Sequence, residues 1–201
     1  KKAEKTMSHF LQPHRVHIPI ENDVLEGILA IPEGATALIL FVHGSGSSRM
    51  SPRNQFVAHI LNKSGIATLL FDLLTQQEDI IDEITAEYRF DINLLTNRLI
   101  KTTDWASKDK ETKKLNIGYF GASTGAAAAL LAAAQRPKIV KAIVSRGGRP
   151  DLAESGLKDV QAPTLLIVGG KDYPVIQMNE YAFEHLLCKK KMLIIPGATH
   201  L

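Results

Sequence analysis

Short apolar runs alternate with helix-forming stretches along almost the whole chain, and that alternation leaves few folds open. The runs ALILFVH (37–43), IATLLFD (66–72), LNIGYF (115–120), IVKAIVS (139–145), PTLLIVGG (163–170) and KMLIIPG (191–197) are rich in Ile, Leu, Val and Phe. Continuous rather than alternating apolar character marks a strand buried on both faces. Ser51-Pro52 supplies an N-cap and a first-turn proline for a helix through about Lys63. A polar connection after residue 72 leads to a long helix from about Tyr88 to Ser107, and further helices are expected over Ser123 to Gln135 and Pro174 to Leu187. Ahead of these, HRVHIPI (14–20) and VLEGILAIP (24–32) flank Glu21-Asn22-Asp23 and predict an antiparallel hairpin. The expected fold is therefore α/β: a mostly parallel sheet with an N-terminal antiparallel hairpin and helices on both faces. Right-handed crossovers set the loops after successive parallel strands along one edge, so functional residues should follow strand ends.

At 201 residues, one domain is expected, with residues 1–13 as an N-terminal extension and 14–201 as the folded unit. Met7 is a candidate natural start. Basic residues exceed acidic ones by only three and are scattered, apart from the N-terminal lysines and Lys189–Lys191. Neither cluster is interleaved with aromatics, which argues against a nucleic-acid partner. No apolar stretch approaches the ~20 residues of a membrane span, and KKAEKTMSHF lacks the apolar core of a secretory signal. The single cysteine, Cys188, excludes an internal disulfide and suits a reducing, cytoplasmic compartment; it reads as a packing residue. Oligomeric state is not legible.

Gly121-Ala122-Ser123-Thr124-Gly125 lies between an apolar run and the alanine-rich stretch 126–134. A strand, a tight turn bearing a serine and then a helix is one way to expose a nucleophile. Such a turn is so sharp that side chains two residues either side of the serine would clash, and both positions are glycine. A glycine-softened turn without chemistry would look the same in isolation, so the rest of the chain decides.

The other strand ends carry the remaining parts. Lys171-Asp172 follows PTLLIVGG, and Ala198-Thr199-His200 follows KMLIIPG. Serine, aspartate, histidine is the chain order of a triad on this kind of sheet. Serine is a weak nucleophile that needs a base to take its proton. His200 would be that base, and Asp172 would orient the imidazole and stabilise its protonated form. Asp172 in GGKDYP could also be a plain turn residue, the acid role being favoured. The loop His43-Gly-Ser-Gly-Ser-Ser48 has small residues that let backbone approach a substrate. The oxyanion donors are expected to be the N–H of Thr124 and one from Ser45 or Gly46, Ser45 being favoured. His43 reads as structural.

These segments resemble the α/β-hydrolase superfamily, and within it the dienelactone-hydrolase-like branch. The resemblance is closest to small bacterial hydrolases carrying HGSGSSR-x-SPRN, FDLLT, GYFGASTGAAAAL, SRGGRPDLA and PGATHL, found here at 43–54, 71–75, 118–130, 145–153 and 196–201. Some of these are fused to phosphoribosyltransferase-like domains. The resemblance implies a Ser123, Asp172, His200 triad. Better-known dienelactone hydrolases differ in using a cysteine nucleophile and an acidic residue near the end of the first buried strand, so their particular lactone chemistry does not carry over. The resemblance also implies a last helix after the histidine. None lies within residues 1–201, so that helix is expected to be absent or truncated; whether the natural chain continues past Leu201 is not legible.

The connection between residues 145 and 163 has room for a short helix but not for a large lid, which points to small soluble substrates. Arg49, Arg53, Arg146 and Arg149 cluster near strand ends, where guanidinium forks could hold an anionic substrate group. They could instead pair with Asp72, Asp151 or Glu154 and brace the loops. The expected activity is a serine hydrolase acting on a small ester, lactone or thioester through an acyl-enzyme. A non-catalytic binding or regulatory module on the same fold, or an acyltransferase, are the competing readings. No cofactor is expected. His-x-x-x-His spacing and cysteine clusters are missing, so no metal is expected either, and the HGSGSS loop lacks a Walker lysine.

Overall fold

A computed structural model describes residues 12–200. Eight strands form one sheet in the order β1-β2-β4-β3-β5-β6-β7-β8: β1 His14–Ile20, β2 Asp23–Ala30, β3 Ala37–Val42, β4 Ala67–Phe71, β5 Asn116–Ala122, β6 Val140–Arg146, β7 Thr164–Gly169 and β8 Lys190–Ile195. β1 and β2 form the expected hairpin, with Ile20 opposite Asp23. β2 joins β4 antiparallel, and every later pairing is parallel.

Alternation along the central strands divides the core. Leu38, Leu40 and Val42 of β3, with Leu69 and Phe71 of β4, enter the larger cluster. That side is covered by α3 (Ile92–Ala106), α4 (Thr124–Gln135), a 3-10 segment (Pro150–Asp159) and α5 (Tyr173–His185). Phe41, Leu70 and Phe120 point the other way, against Ala58 of α1 (Pro52–Lys63). α4 is buried from Thr124 through Leu130, and its alanines let it sit close to α3 and the 3-10 segment. Ser51 caps α1 as expected, accepting the Asn54 N–H at 3.3 Å.

One helix lies where a polar connection was expected. α2 spans Gln76–Thr85, and the long helix starts at Ile92 rather than Tyr88. Thr75 and Glu78 form a reciprocal capping box, 3.2 Å from Glu78 N–H to Thr75 Oγ1 and 2.8 Å from Thr75 N–H to Glu78 Oε2. Arg98 of α3 grips the same carboxylate through both terminal nitrogens, at 2.6 and 2.9 Å. Ile80, Ile81 and Ile84 remain exposed, so an apolar stripe is not what holds this helix.

Candidate active site

The site is built where β5 turns into α4. Ser123 has φ 50° and ψ −126°, a conformation an L-residue adopts only under constraint, at a cost of about 1–3 kcal/mol. The constraint is on both sides. A Cβ on Gly121 would come within 2.7 Å of Ala126 Cα, and one on Gly125 within 2.2 Å of the Val42 carbonyl oxygen. The Ser123 carbonyl accepts N–H bonds from Ala126 at 3.1 Å and from Arg149 at 2.9 Å, locking the turn to the loop after β6. The start of α4 leaves its first N–H groups without helical acceptors, beside the serine.

The loop after β3 passes directly against Ser123: a Cβ on Gly44 would lie 2.9 Å from Ser123 Cβ. Gly44 to Ser47 form a turn closed by the Ser47 N–H to the Gly44 carbonyl at 3.2 Å, with Gly46 at φ 68° where only glycine sits without strain. Ser45 Oγ donates to the Arg89 carbonyl at 3.0 Å and lies 2.9 Å from the Thr124 hydroxyl. Thr124 and Ser45, both expected to serve an oxyanion, are thus joined, and Gly46 is their neighbour in the same turn.

Behind this loop sits a network that spacing along the chain does not reveal. Asp82, only 2% exposed, accepts the N–H groups of Tyr88 and Arg89 at 2.8 and 3.0 Å and the Arg89 Nε–H at 2.7 Å. Burial pushes the Asp82 carboxyl up, but these bonds outweigh it and hold the group below the usual carboxylate range. The Arg89 guanidinium packs over Gly46.

His43 is buried and structural in its contacts. Its Nε2 accepts the Leu73 N–H at 3.0 Å, so Nδ1 carries the proton and donates to the Gly44 carbonyl at 2.9 Å. Burial lowers its pKa, against the opposing pull of that carbonyl, Asp72 and Asp79.

Asp172 and His200 come from adjacent strand ends. Asp172 is at the N-cap position of α5, yet its carboxylate makes no capping bond; Oδ2 lies 2.6 Å from His200 Nδ1. The two loops are stitched together by Gly170 N–H to Ile195 O at 2.8 Å and Lys171 N–H to Ala198 O at 2.9 Å. His200 rests on Gly147, whose φ of 50° and missing Cβ leave room for the histidine backbone. Since Gly147 follows β6 and the Arg149 N–H bonds Ser123 O, one short loop touches both the serine turn and the histidine.

The four arginines divide. Arg49 bonds Asp72 through its N–H at 2.7 Å and through its guanidinium. Arg149 makes a two-point pair with Asp151 at 3.0 and 2.9 Å. Arg146 reaches Asn54 Oδ1 at 3.3 Å and lies over the Phe120 ring, and Arg53 is exposed on the first turn of α1. Among the described residues, no cluster of metal-ligating side chains forms and no helix is long and apolar enough to cross a membrane.

Comparison with known proteins places this geometry. The model of the dienelactone hydrolase family matches residues 25–200. A crystal structure of dienelactone hydrolase from Anabaena variabilis is 58% identical, with a TM-score of 0.93, covering 94% of this chain and 88% of that one. Est1E from Butyrivibrio proteoclasticus shares the fold at 18% identity, with a TM-score of 0.75 over 92% of this chain and 90% of its own. A Mycobacterium tuberculosis protein, named provisionally as a phosphoribosyl transferase, is 52% identical over 175 residues, 87% of this chain. The chain spans 39% of that relative's length. This chain belongs to the dienelactone hydrolase family.

Proposed function

We propose that the protein is a serine hydrolase that cleaves a small ester, lactone or thioester through an acyl-enzyme, with Ser123, His200 and Asp172 as its triad. The observation that carries this reading is the 2.6 Å contact between His200 Nδ1 and Asp172 Oδ2, made where the loop after β6 also meets a serine held in a strained turn. With Nδ1 engaged by a carboxylate, Nε2 is the nitrogen left to take a proton.

Ser123 Oγ attacks the substrate carbonyl carbon while its proton moves to His200 Nε2. The carbonyl oxygen becomes an oxyanion, met by the N–H of Thr124 and by that of Ser45 in the loop after β3. Collapse of the tetrahedral intermediate breaks the carbonyl–oxygen or carbonyl–sulfur bond, and the leaving group departs with the proton from His200. Water then attacks the acyl-enzyme by the same steps in reverse. Asp172 stays ionised throughout and stabilises the imidazolium. The 3-10 segment is the only element between β6 and β7, and nothing there is long enough to form a large apolar lid, which favours small substrates.

A fluorophosphonate probe should label wild-type protein at Ser123 and leave Ser123→Ala unlabelled. Short acyclic acyl esters should show a burst of released alcohol on mixing, and lactones should be opened without one because their leaving oxygen stays tethered to the acyl group. A folded sample that resists the probe would overturn the assignment.

A further inference from the structure

Asn179 joins the elements that carry the proposed triad. It lies in α5, wholly buried, about two turns beyond Asp172 at the helix N-cap. Its Nδ2 donates to the Gly148 carbonyl at 3.0 Å and to the Val175 carbonyl at 2.8 Å. Both partners are carbonyl oxygens, which only accept, so the orientation of the amide is fixed. Gly148 stands in the middle of the loop after β6. On one side of it Gly147 lies under His200, and on the other the Arg149 N–H holds the Ser123 carbonyl at 2.9 Å. Gly148 is also pressed against the first turn of α4, where a Cβ on it would fall 2.6 Å from Ala126 Cβ. One amide therefore links the helix that begins at Asp172 to the loop that meets both Ser123 and His200.

The fold alone does not call for asparagine here. Asparagine is a poorer helix former than leucine or alanine. Among the described residues its Oδ1 finds no donor, and a buried acceptor left unpaired is costly. Leucine would remove that idle acceptor but leave the Gly148 carbonyl without its side-chain donor. One unpaired acceptor is exchanged for another, so the change in stability should be small. What is lost is the hold on the loop.

We propose that Asn179 is a positioning residue: by holding Gly148, it sets where His200 stands relative to Ser123. The proposal rests on the hydrolase reading for its catalytic meaning, but the hold on the loop does not.

Three variants test it. Asn179→Leu should lower kcat on a short acyl ester by about tenfold to a hundredfold, since a shift of ~1 Å in a catalytic group can cost the latter. KM should stay within about twofold and Tm within a few degrees. Asn179→Ala, which cannot overpack, should show the same loss of kcat. Ala182→Gly, at another buried position of α5, weakens the helix without removing a polar group and should leave kcat within about twofold. In parallel, hydrogen–deuterium exchange of the Gly147 and Arg149 amides should be about tenfold faster or more in the Asn179 variants, with β5 and β7 still protected. A kcat within about twofold of wild type in both Asn179 variants, an equal loss in Ala182→Gly, unchanged exchange in the loop, or failure of both Asn179 variants to fold would each overturn the proposal. If the wild-type protein resists the fluorophosphonate and cleaves no ester, the hydrolase reading falls, while exchange still decides whether Asn179 holds the loop.

Discussion

His200 Nδ1 lies 2.6 Å from Asp172 Oδ2, and each residue stands a few positions beyond the end of one of two paired parallel strands, β7 and β8. The pairing of Gly169 with Ile195 fixes how far apart the two loops begin. Asp172→Asn would keep the size of the side chain but remove the charge that selects the Nδ1–H tautomer. It should lower kcat by about a thousandfold or more, with KM little changed. Ester hydrolysis across the panel, with circular dichroism as a check on folding, reads this. A loss of less than tenfold would mean that Asp172 is not the orienting acid.

The Ser45 hydroxyl, bridging Arg89 O and the Thr124 hydroxyl, positions the loop that faces Ser123. Ser45→Ala should cost about tenfold in kcat, less than the loss of an oxyanion donor itself, because the backbone N–H survives. Asp82→Asn should act on the same loop through Arg89, which packs over Gly46. The two changes touch one network, so the double variant should lose less than the product of the single losses. Multiplicative losses would show that Asp82 and Ser45 act independently.

His43 gives the fold a pH dependence of predictable sign. Its imidazole is held neutral in the folded state with a lowered pKa, whereas the unfolded chain titrates near the ordinary value of 6.5. Below 6.5 the unfolded state therefore binds more protons than the folded one, and stability falls as pH falls. Protonation would also turn Nε2 from an acceptor of the Leu73 N–H into a donor facing it. Denaturant midpoints measured between pH 8 and 5 should decline below about 6.5. In His43→Gln that limb of the curve should flatten, at lower stability overall; an unchanged limb would assign it to other groups.

Strands and site were legible in the sequence to different depths. The buried strands announce themselves as unbroken apolar runs, and the glycines at 121 and 125 follow from the sharpness of the serine turn. α2 reads as a polar connection because Gln76, Gln77, Glu78, Asp79, Asp82 and Glu83 dominate it, although Ile80, Ile81 and Ile84 stand at helical spacing. The signal that could have found it was local: Thr75 three residues ahead of Glu78, the spacing of a capping box. Asp82 and Arg89 were invisible for another reason. Their bearing on Ser45 comes from packing of the segment after β4 against the loop after β3, a contact that no spacing along the chain encodes. Of the four arginines, Arg146 ends β6 and Arg149 follows it, whereas Arg49 lies well into the loop after β3 and Arg53 in α1. Only three dimensions show that Arg49 and Arg149 are held by carboxylates while Arg53 and Arg146 are not.

Two glycines next to the proposed triad should respond to alanine in opposite ways. A Cβ on Gly125 would fall 2.2 Å from Val42 O and 2.5 Å from His43 O. Val42 ends β3, an interior strand paired with β4 and β5, and cannot give way. Gly125→Ala should therefore destabilise at or beyond the upper end of the ~1–3 kcal/mol usual for overpacking. For a chain of this size that lowers Tm by about 6 °C or more. A Cβ on Gly169 would also be too close, 2.3 Å from Thr199 O and 2.6 Å from Ala198 O. Those carbonyls belong to the loop carrying His200, beyond β8, where strand pairing does not hold the backbone on both sides as it holds Val42. Gly169→Ala should thus leave Tm within a few degrees while displacing the imidazole from Asp172 and the serine. A shift of ~1 Å in a catalytic group can cost about a hundredfold in rate. Calorimetric Tm and ester turnover measured on both variants separate the two cases. If Gly169→Ala kept full activity, the loop would have yielded without moving His200, and the coupling of that glycine to the base would be wrong.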